Sequence, residues 1–155
     1  FPGMHILQFE MEKMSFGEDF PENSVVCTGT HDNDTLLGWF ASLPKVSKNR
    51  EILTKDKLLQ FFQCTEDTIH WEIINYALST ASNTVMIPLQ DILGEGSSGR
   101  FNVPGTLFPN NWSWRMEADK LTQSLKTKLL ELTTIHKRNS SAINNLLKEE
   151  LEFWK

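Results

Sequence analysis

Val25-Val26-Cys27-Thr28-Gly29-Thr30-His31-Asp32-Asn33-Asp34-Thr35 is a short apolar run that reaches a glycine and then delivers a His and two Asp almost at once. A buried strand looks like this when it hands polar side chains to its C-terminal mouth. In barrel and open α/β folds the chemistry sits at that end. The same residues also read as an Asx-rich turn capping the next helix, with Asp34 or Thr35 as N-cap. For Asp34 the capping role is the favoured one. His31-Asp32 is harder to explain that way, because a turn needs no imidazole.

Two further apolar runs flank this one. Met4 to Phe9 reads as a strand, continuous in hydrophobicity as strands buried on both faces are. Thr84 to Gln90 reads as another, with Pro88 marking its end or a bulge. Between the first two, Glu10 to Ser24 shows no helical period and mixes acidic residues with Met11, Met14, Phe16 and Phe20, so a long loop is expected. Between the second and third, helices are expected from Thr35 towards Pro44, within Arg50–Cys64, and from an N-cap at Thr65 onward. The last of these has Ile69, Ile73, Tyr76 and Ala77 on one face, and its His70 reads as structural. Asp91 to Gly99 is glycine-rich but lacks both the P-loop Lys-Ser/Thr and the GxGxxG spacing, which leaves phosphate binding weakly supported. Leu121, Leu125, Leu129 and Leu132 form one helical stripe, and Ile143, Leu146, Leu147 and Leu151 another; such stripes are packing surfaces.

Composition narrows the class. The chain has 155 residues, 39% hydrophobic and 23% charged, with a net charge of −5. Nothing in that balance points to nucleic acid or an anionic membrane as partner. No apolar run approaches the roughly 20 residues a spanning helix needs, and no signal peptide is visible. Cys27 and Cys64 lack metal-ligand spacing and read as reduced core thiols of a cytoplasmic protein. The glycosylation sequons at Asn111 and Asn139 carry little weight without a secretory signal.

Three apolar strands separated by loops and helices indicate α/β with parallel pairing. The crossover between the second and third is helical, whereas the acidic loop replaces the one between the first and second. A complete eight-stranded barrel needs about 250 residues, so the expectation is a sector of a barrel or a small open sheet. Phe1-Pro2-Gly3 carries no initiator Met and runs at once into the apolar stretch, which favours a piece of a longer polypeptide. An unclosed sector exposes strand edges and should self-associate when made alone.

The motifs also carry a resemblance. Gly29-Thr30-His31-Asp32-Asn33-Asp34-Thr35 with Trp39 resembles the segment of the amylomaltases, or disproportionating enzymes (4-α-glucanotransferases), that bears the third catalytic carboxylate. Phe1-Pro2-Gly3-Met4 with Leu7-Gln8-Phe9 resembles the preceding barrel strand. Gln90-Asp91-Ile92-Leu93-Gly94, Arg100-Phe101-Asn102-Val103-Pro104-Gly105-Thr106 and Asn111-Trp112-Ser113-Trp114-Arg115 resemble the last strand and the loop after it. Four motifs in order, from Phe1 to about Arg115, make the likeness specific. His5 stands where a basic residue is commoner, and Glu95 and Phe101 stand where Leu and Met are usual.

That resemblance implies the C-terminal sector, residues 1–155, of a (β/α)8 barrel that moves α-1,4-glucan segments between maltooligosaccharides by retaining double displacement, with no cofactor or metal. Asp32 would be the third, transition-state-stabilising carboxylate and His31 a donor to the same sugar. Asn102 would line the donor site, Asn33 would also bind substrate, and Glu12 falls near another sugar-binding acid of the family. The nucleophile Asp and acid/base Glu of the family lie on strands before Phe1, so the N-terminal part of the barrel would be needed for turnover.

Two rival readings remain. Trp112 and Trp114, flanked by Asn and Arg115, suit sugar recognition, with rings on the apolar faces and polar groups on the hydroxyls. That could make a non-catalytic glucan-binding module; the same tryptophans could equally be core anchors of a loop. His31-Asp32 is also similar to the pair of metal-dependent phosphohydrolases, but His5, His70 and His136 lie in no supporting context.

Overall fold

The computed structural model describes residues 2–13 and 20–139. They divide into two compact units, one up to residue 120 and one from residue 121. The first is built on a three-stranded parallel sheet in chain order, with β1 (Gly3–Ile6), β2 (Ser24–Cys27) and β3 (Thr84–Met86). The register pairs Met4 with Val25, His5 with Val26 and Ile6 with Cys27, and then Val26 with Val85 and Cys27 with Met86.

Because side chains alternate along a strand, His5, Val26 and Val85 share one face of the sheet. Met4 and Ile6, Val25 and Cys27, and Thr84 and Met86 share the other. Val26 is fully buried, whereas Met4 is 62% exposed and Met86 58%. At both edge strands the second face therefore carries apolar side chains that no described residue fully covers.

The first strand is shorter than the apolar run implies. It ends at Ile6, and α1 (Leu7–Glu12) follows directly. Leu7, Gln8 and Met11 are its buried residues, a helical i, i+1, i+4 spacing that straddles the expected end of the strand at Phe9. The expected loop from Glu10 accordingly opens inside a helix. Met14, Phe16, Glu18 and Asp19 of that loop lie outside the described residues.

The crossover from β2 to β3 is helical, as expected: α2 (Leu36–Ser42), α3 (Lys55–Phe62) and α4 (Ile69–Ser79). Thr35 caps α2, its hydroxyl accepting the Gly38 N–H at 3.1 Å. Thr54 caps α3 in the same way, accepting from Lys57; residues 50–53 are not helical and end in buried Leu53. α4 starts later than Thr65, because Thr65 to Thr68 forms a turn closed by its own hydroxyls. Seven of its residues are buried, including Ile69, Ile73, Ile74 and Ala77, since it packs against α2, α3 and α5. Tyr76 is only half-buried and meets the ring edges of Phe61 and Phe62.

His70 is buried in this helix. Gly94 has φ +67°, which favours glycine, and a Cβ there would crowd the His70 Nε2 at 3.2 Å. Cys27 is buried, but Cys64 is only half-buried and so is not the core thiol expected.

The third strand stops at Met86. Pro88 then serves as N-cap of the short helix α5 (Leu89–Ile92) and marks the strand end, as its missing N–H predicts. In the second unit, α6 (Gln123–Ile135) is capped by Thr122. Leu125, Leu129 and Leu132 are half-buried along one stripe. The stripe at Ile143, Leu146, Leu147 and Leu151 lies outside the described residues.

Candidate active site

The site grows from the C-terminal end of β2. Thr28 is fully buried and donates its hydroxyl to Asp91 Oδ2 at 2.6 Å, while the other oxygen, Oδ1, accepts the Leu36 N–H at 2.7 Å. Asp91, on α5, thus ties the end of β2 to the first turn of α2. Burial pushes its carboxyl above the ordinary carboxylate range, the two hydrogen bonds oppose that, and the nearby Asp34 charge adds to it.

Beyond Gly29 the chain makes a tight turn closed by Asn33. Its Oδ1 accepts from both the N–H (3.0 Å) and the hydroxyl (2.7 Å) of Thr30, and its own N–H donates to the Thr30 carbonyl. Gln8 of α1 fastens the turn from beneath through the Asp34 carbonyl at 2.8 Å. Asp34 itself is a fastener. Oδ1 accepts the Thr35 N–H and Oδ2 accepts the Ser97 hydroxyl at 2.7 Å, while the cap of α2 falls to Thr35.

This turn projects His31 and Asp32, whose side chains are 58% and 48% exposed. Asp32 Oδ1 accepts a 2.7 Å hydrogen bond from Asn102 Nδ2, and His31 Nε2 lies 3.5 Å from the same oxygen. Among the described residues, Oδ2 accepts no hydrogen bond. One oxygen is fixed and the other is open to a ligand hydroxyl.

The loop after η1, a single 3-10 turn at Ser97–Gly99, completes the surroundings. Asn111 curls it, accepting from the Val103 N–H and donating to Thr106. Trp112 then donates its N–H to the Phe101 carbonyl at 2.8 Å, and its ring lies 5.1 Å from that of His31 and 5.3 Å, edge-on, from Phe101. Trp112 is 54% exposed and has φ +62°, a left-handed conformation rare for a bulky residue.

The structure thus brings His31, Asp32, Asn33, Asn102 and Trp112 together. Glu12 and Arg115 make their hydrogen bonds outside that group. Glu12 accepts the Trp39 indole N–H at 2.8 Å, and Arg115 donates to the carbonyl of Trp114. Asp91, Asn111, Gln8 and Arg100 escaped the sequence reading as supports of the site. Their partners lie elsewhere in the chain, for Asp91 as far as 63 residues away, so no local motif marks them.

Two cavities adjoin the turn. A small one, about 170 Å³, lies between Thr30, His31, Asp34, Asp91 and Arg100. A groove of about 1000 Å³ is lined by Met4, Ile6, Phe9, Cys27 and Met86, and reaches His31, Asp32 and Asn33. It is apolar along the sheet and polar at the mouth. Among the described residues no three His, Cys, Asp or Glu converge as metal ligands.

The family model described as 4-alpha-glucanotransferase (glycoside hydrolase 77) matches residues 1–122. The chain belongs to the 4-alpha-glucanotransferase family. It is 38% identical over 144 residues to the 4-alpha-glucanotransferase of Synechocystis, covering 89% of this chain and 27% of the relative. It is 42% identical over 144 residues to the chloroplastic/amyloplastic 4-alpha-glucanotransferase of Oryza sativa, covering 88% and 23%. The amylomaltase of Streptococcus agalactiae, solved in complex with acarbose, superposes with a TM-score of 0.77 at 29% identity, covering 90% of this chain and 28% of that one. The chain therefore spans about a quarter of the length of these relatives.

Proposed function

We propose that this chain is the C-terminal sector of the (β/α)8 catalytic barrel of a 4-α-glucanotransferase, and that it supplies the carboxylate which stabilises the transition state. The observation that carries the reading is Asp32. It stands at the strand mouth of a family member with Oδ1 held by Asn102 and Oδ2 open. An oxocarbenium-like transition state demands distortion of the sugar and hydrogen bonds to its hydroxyls that strengthen as it forms. A carboxylate pre-oriented by a neighbouring amide meets that demand without reorganising. His31, beside it, donates to the same sugar, and Trp112 offers a ring face to the next one.

On this reading the nucleophile and the acid/base, a pair about 5 Å apart in retaining enzymes, come from strands outside this sequence. The same strands cover Met4, Ile6 and Met86, because parallel sheets are buried on both faces. The polar end of the groove then remains for the maltooligosaccharide. Buried Cys27, a thiol shifted upward by burial, fits a reducing compartment such as the cytoplasm.

The test is the complete protein incubated with maltotriose. Glucose together with longer maltooligosaccharides is expected, and Asp32→Asn should abolish both while leaving the fold intact. Unchanged maltotriose, or an Asp32→Asn enzyme as active as its parent, overturns the reading. Maltooligosaccharide binding without turnover, persisting in Asp32→Asn, would make the chain a glucan-binding module instead.

A further inference from the structure

Arg100 touches both halves of the pair just described, and neither contact is to a side chain. Its Nη2 donates to the Asp32 carbonyl at 2.8 Å and its Nε donates to the Asn102 carbonyl at 2.9 Å. One planar guanidinium thus holds the two backbones whose side chains then bond to each other at 2.7 Å. The three hydrogen bonds close a ring: Arg100 to the Asp32 backbone, Asp32 to the Asn102 side chain, and the Asn102 backbone back to Arg100.

The approach of Arg100 is itself fixed. Its N–H donates to the Ser97 carbonyl, and the Ser97 hydroxyl is bonded to Asp34. Gly99 precedes it with no room for a side chain, since a Cβ there would lie 2.7 Å from Glu95 Cβ. The loop is therefore clasped to the Thr30–Asp34 turn twice, by Ser97 donating to Asp34 and by Arg100 donating to Asp32.

We propose that Arg100 is a positioning residue of the transferase, setting the direction of the Asp32 carboxylate through the backbone. The inference rests on the reading of Asp32 as transition-state stabiliser. A fork with separated nitrogens reaches two carbonyls at once, which a single ammonium does poorly. Loss of the clamp leaves Asp32 and Asn102 chemically intact but lets their loops drift. A misplacement of about 1 Å costs on the order of 10²-fold in rate, and the cost falls on kcat when the affected contact strengthens only in the transition state.

The experiment uses the complete protein with maltotriose and compares Arg100→Ala, Arg100→Lys and Asp32→Asn. Arg100→Ala should lower kcat by about 10²-fold with KM within threefold, and millimolar methylguanidinium should restore part of it. Arg100→Lys should fall between, at about a tenfold loss. A general folding defect would lower active enzyme without rescue by a small guanidinium. Arg100→Ala with parental kcat, or with a loss that methylguanidinium leaves untouched, overturns the proposal while an inactive Asp32→Asn keeps the reading beneath it. Should Arg100→Ala not fold, Arg100→Lys decides: a tenfold lower kcat supports the clamp and parental kcat refutes it. An active Asp32→Asn would instead remove the ground on which both stand.

Discussion

Asn102 Nδ2 donates a 2.7 Å hydrogen bond to Asp32 Oδ1, joining the loop after β3 to the loop after β2. The acceptor is charged and the pair is solvent-accessible, so the bond is worth about 1 kcal/mol, below the full value of a buried charged pair. Asn102→Ala in the complete protein should therefore lower kcat/KM on maltotriose about fivefold. Asn102→Asp should be worse, because it replaces a donor with a second carboxylate facing Asp32. Steady-state kinetics of the two variants checks the order, and parental values for Asn102→Asp would show that the amide does not orient Asp32.

Asp91 concerns stability rather than turnover. Asp91→Ala strands the buried Leu36 N–H and Thr28 hydroxyl, each costing about 1–3 kcal/mol. A clearly lower urea midpoint is expected, with a smaller drop for Asp91→Asn, which keeps one acceptor. The pH dependence has a definite sign. Burial raises the Asp91 carboxyl in the folded protein, so the native state keeps this proton to higher pH than the unfolded chain. The stabilisation from that proton is complete below the unfolded pKa of roughly 4 and is lost as pH rises through the native pKa. The stability advantage of the parent over Asp91→Asn should therefore shrink between pH 4 and pH 7. A constant or growing gap, measured by urea unfolding, would contradict it.

These supports explain which parts of the molecule were legible in the sequence. Val25–Cys27 announces itself as a strand because a buried parallel strand is apolar throughout, and the apolar run Thr84–Gln90 marks the third strand although it stops at Met86. His31 and Asp32 stand out because polar residues follow such a run abruptly. The same physical reason hides the helix in Leu7 to Glu12. A helix that begins on the last residue of a strand shows no break in hydrophobicity, and only the burial of Leu7, Gln8 and Met11 separates the two periods. The roles of Asp91 and Arg100 are set by partners 55 and 68 residues away, and local spacing carries no record of such pairs.

Trp112 joins strain to exposure. A left-handed φ of +62° costs a bulky residue about 1–2 kcal/mol, yet the ring stays 54% exposed beside His31. Trp112→Ala and Trp112→Gly both remove the ring, and both should raise KM on maltotriose about fivefold, in line with a stacking contact of about 1 kcal/mol. They should differ in stability, since Gly adopts this φ freely. The thermal midpoint of Trp112→Gly is expected above that of Trp112→Ala. Parental KM in both variants would make Trp112 a loop anchor with no sugar contact.

Gly38 is the last point at which the loops and the helix meet. It sits in the first turn of α2, where alanine would ordinarily gain about 1 kcal/mol over glycine. Here a Cβ would lie 2.5 Å from both Asp34 Oδ1 and Ser97 Oγ. Those atoms end short side chains that are bonded to each other through Asp34 Oδ2 and to the Thr35 N–H, so neither withdraws without losing a bond. Overpacking of this kind costs about 1–3 kcal/mol, which outweighs the propensity gain, and Gly38→Ala should lower the thermal midpoint. Removing one of the obstructing atoms should give part of that back. The Gly38→Ala, Ser97→Ala double variant is expected to be more stable than the sum of the two single changes, a coupling that unfolding of all three variants measures. Strict additivity would mean that the Cβ finds room without displacing Ser97, and that the clasp between Ser97 and Asp34 does not depend on a glycine beneath it.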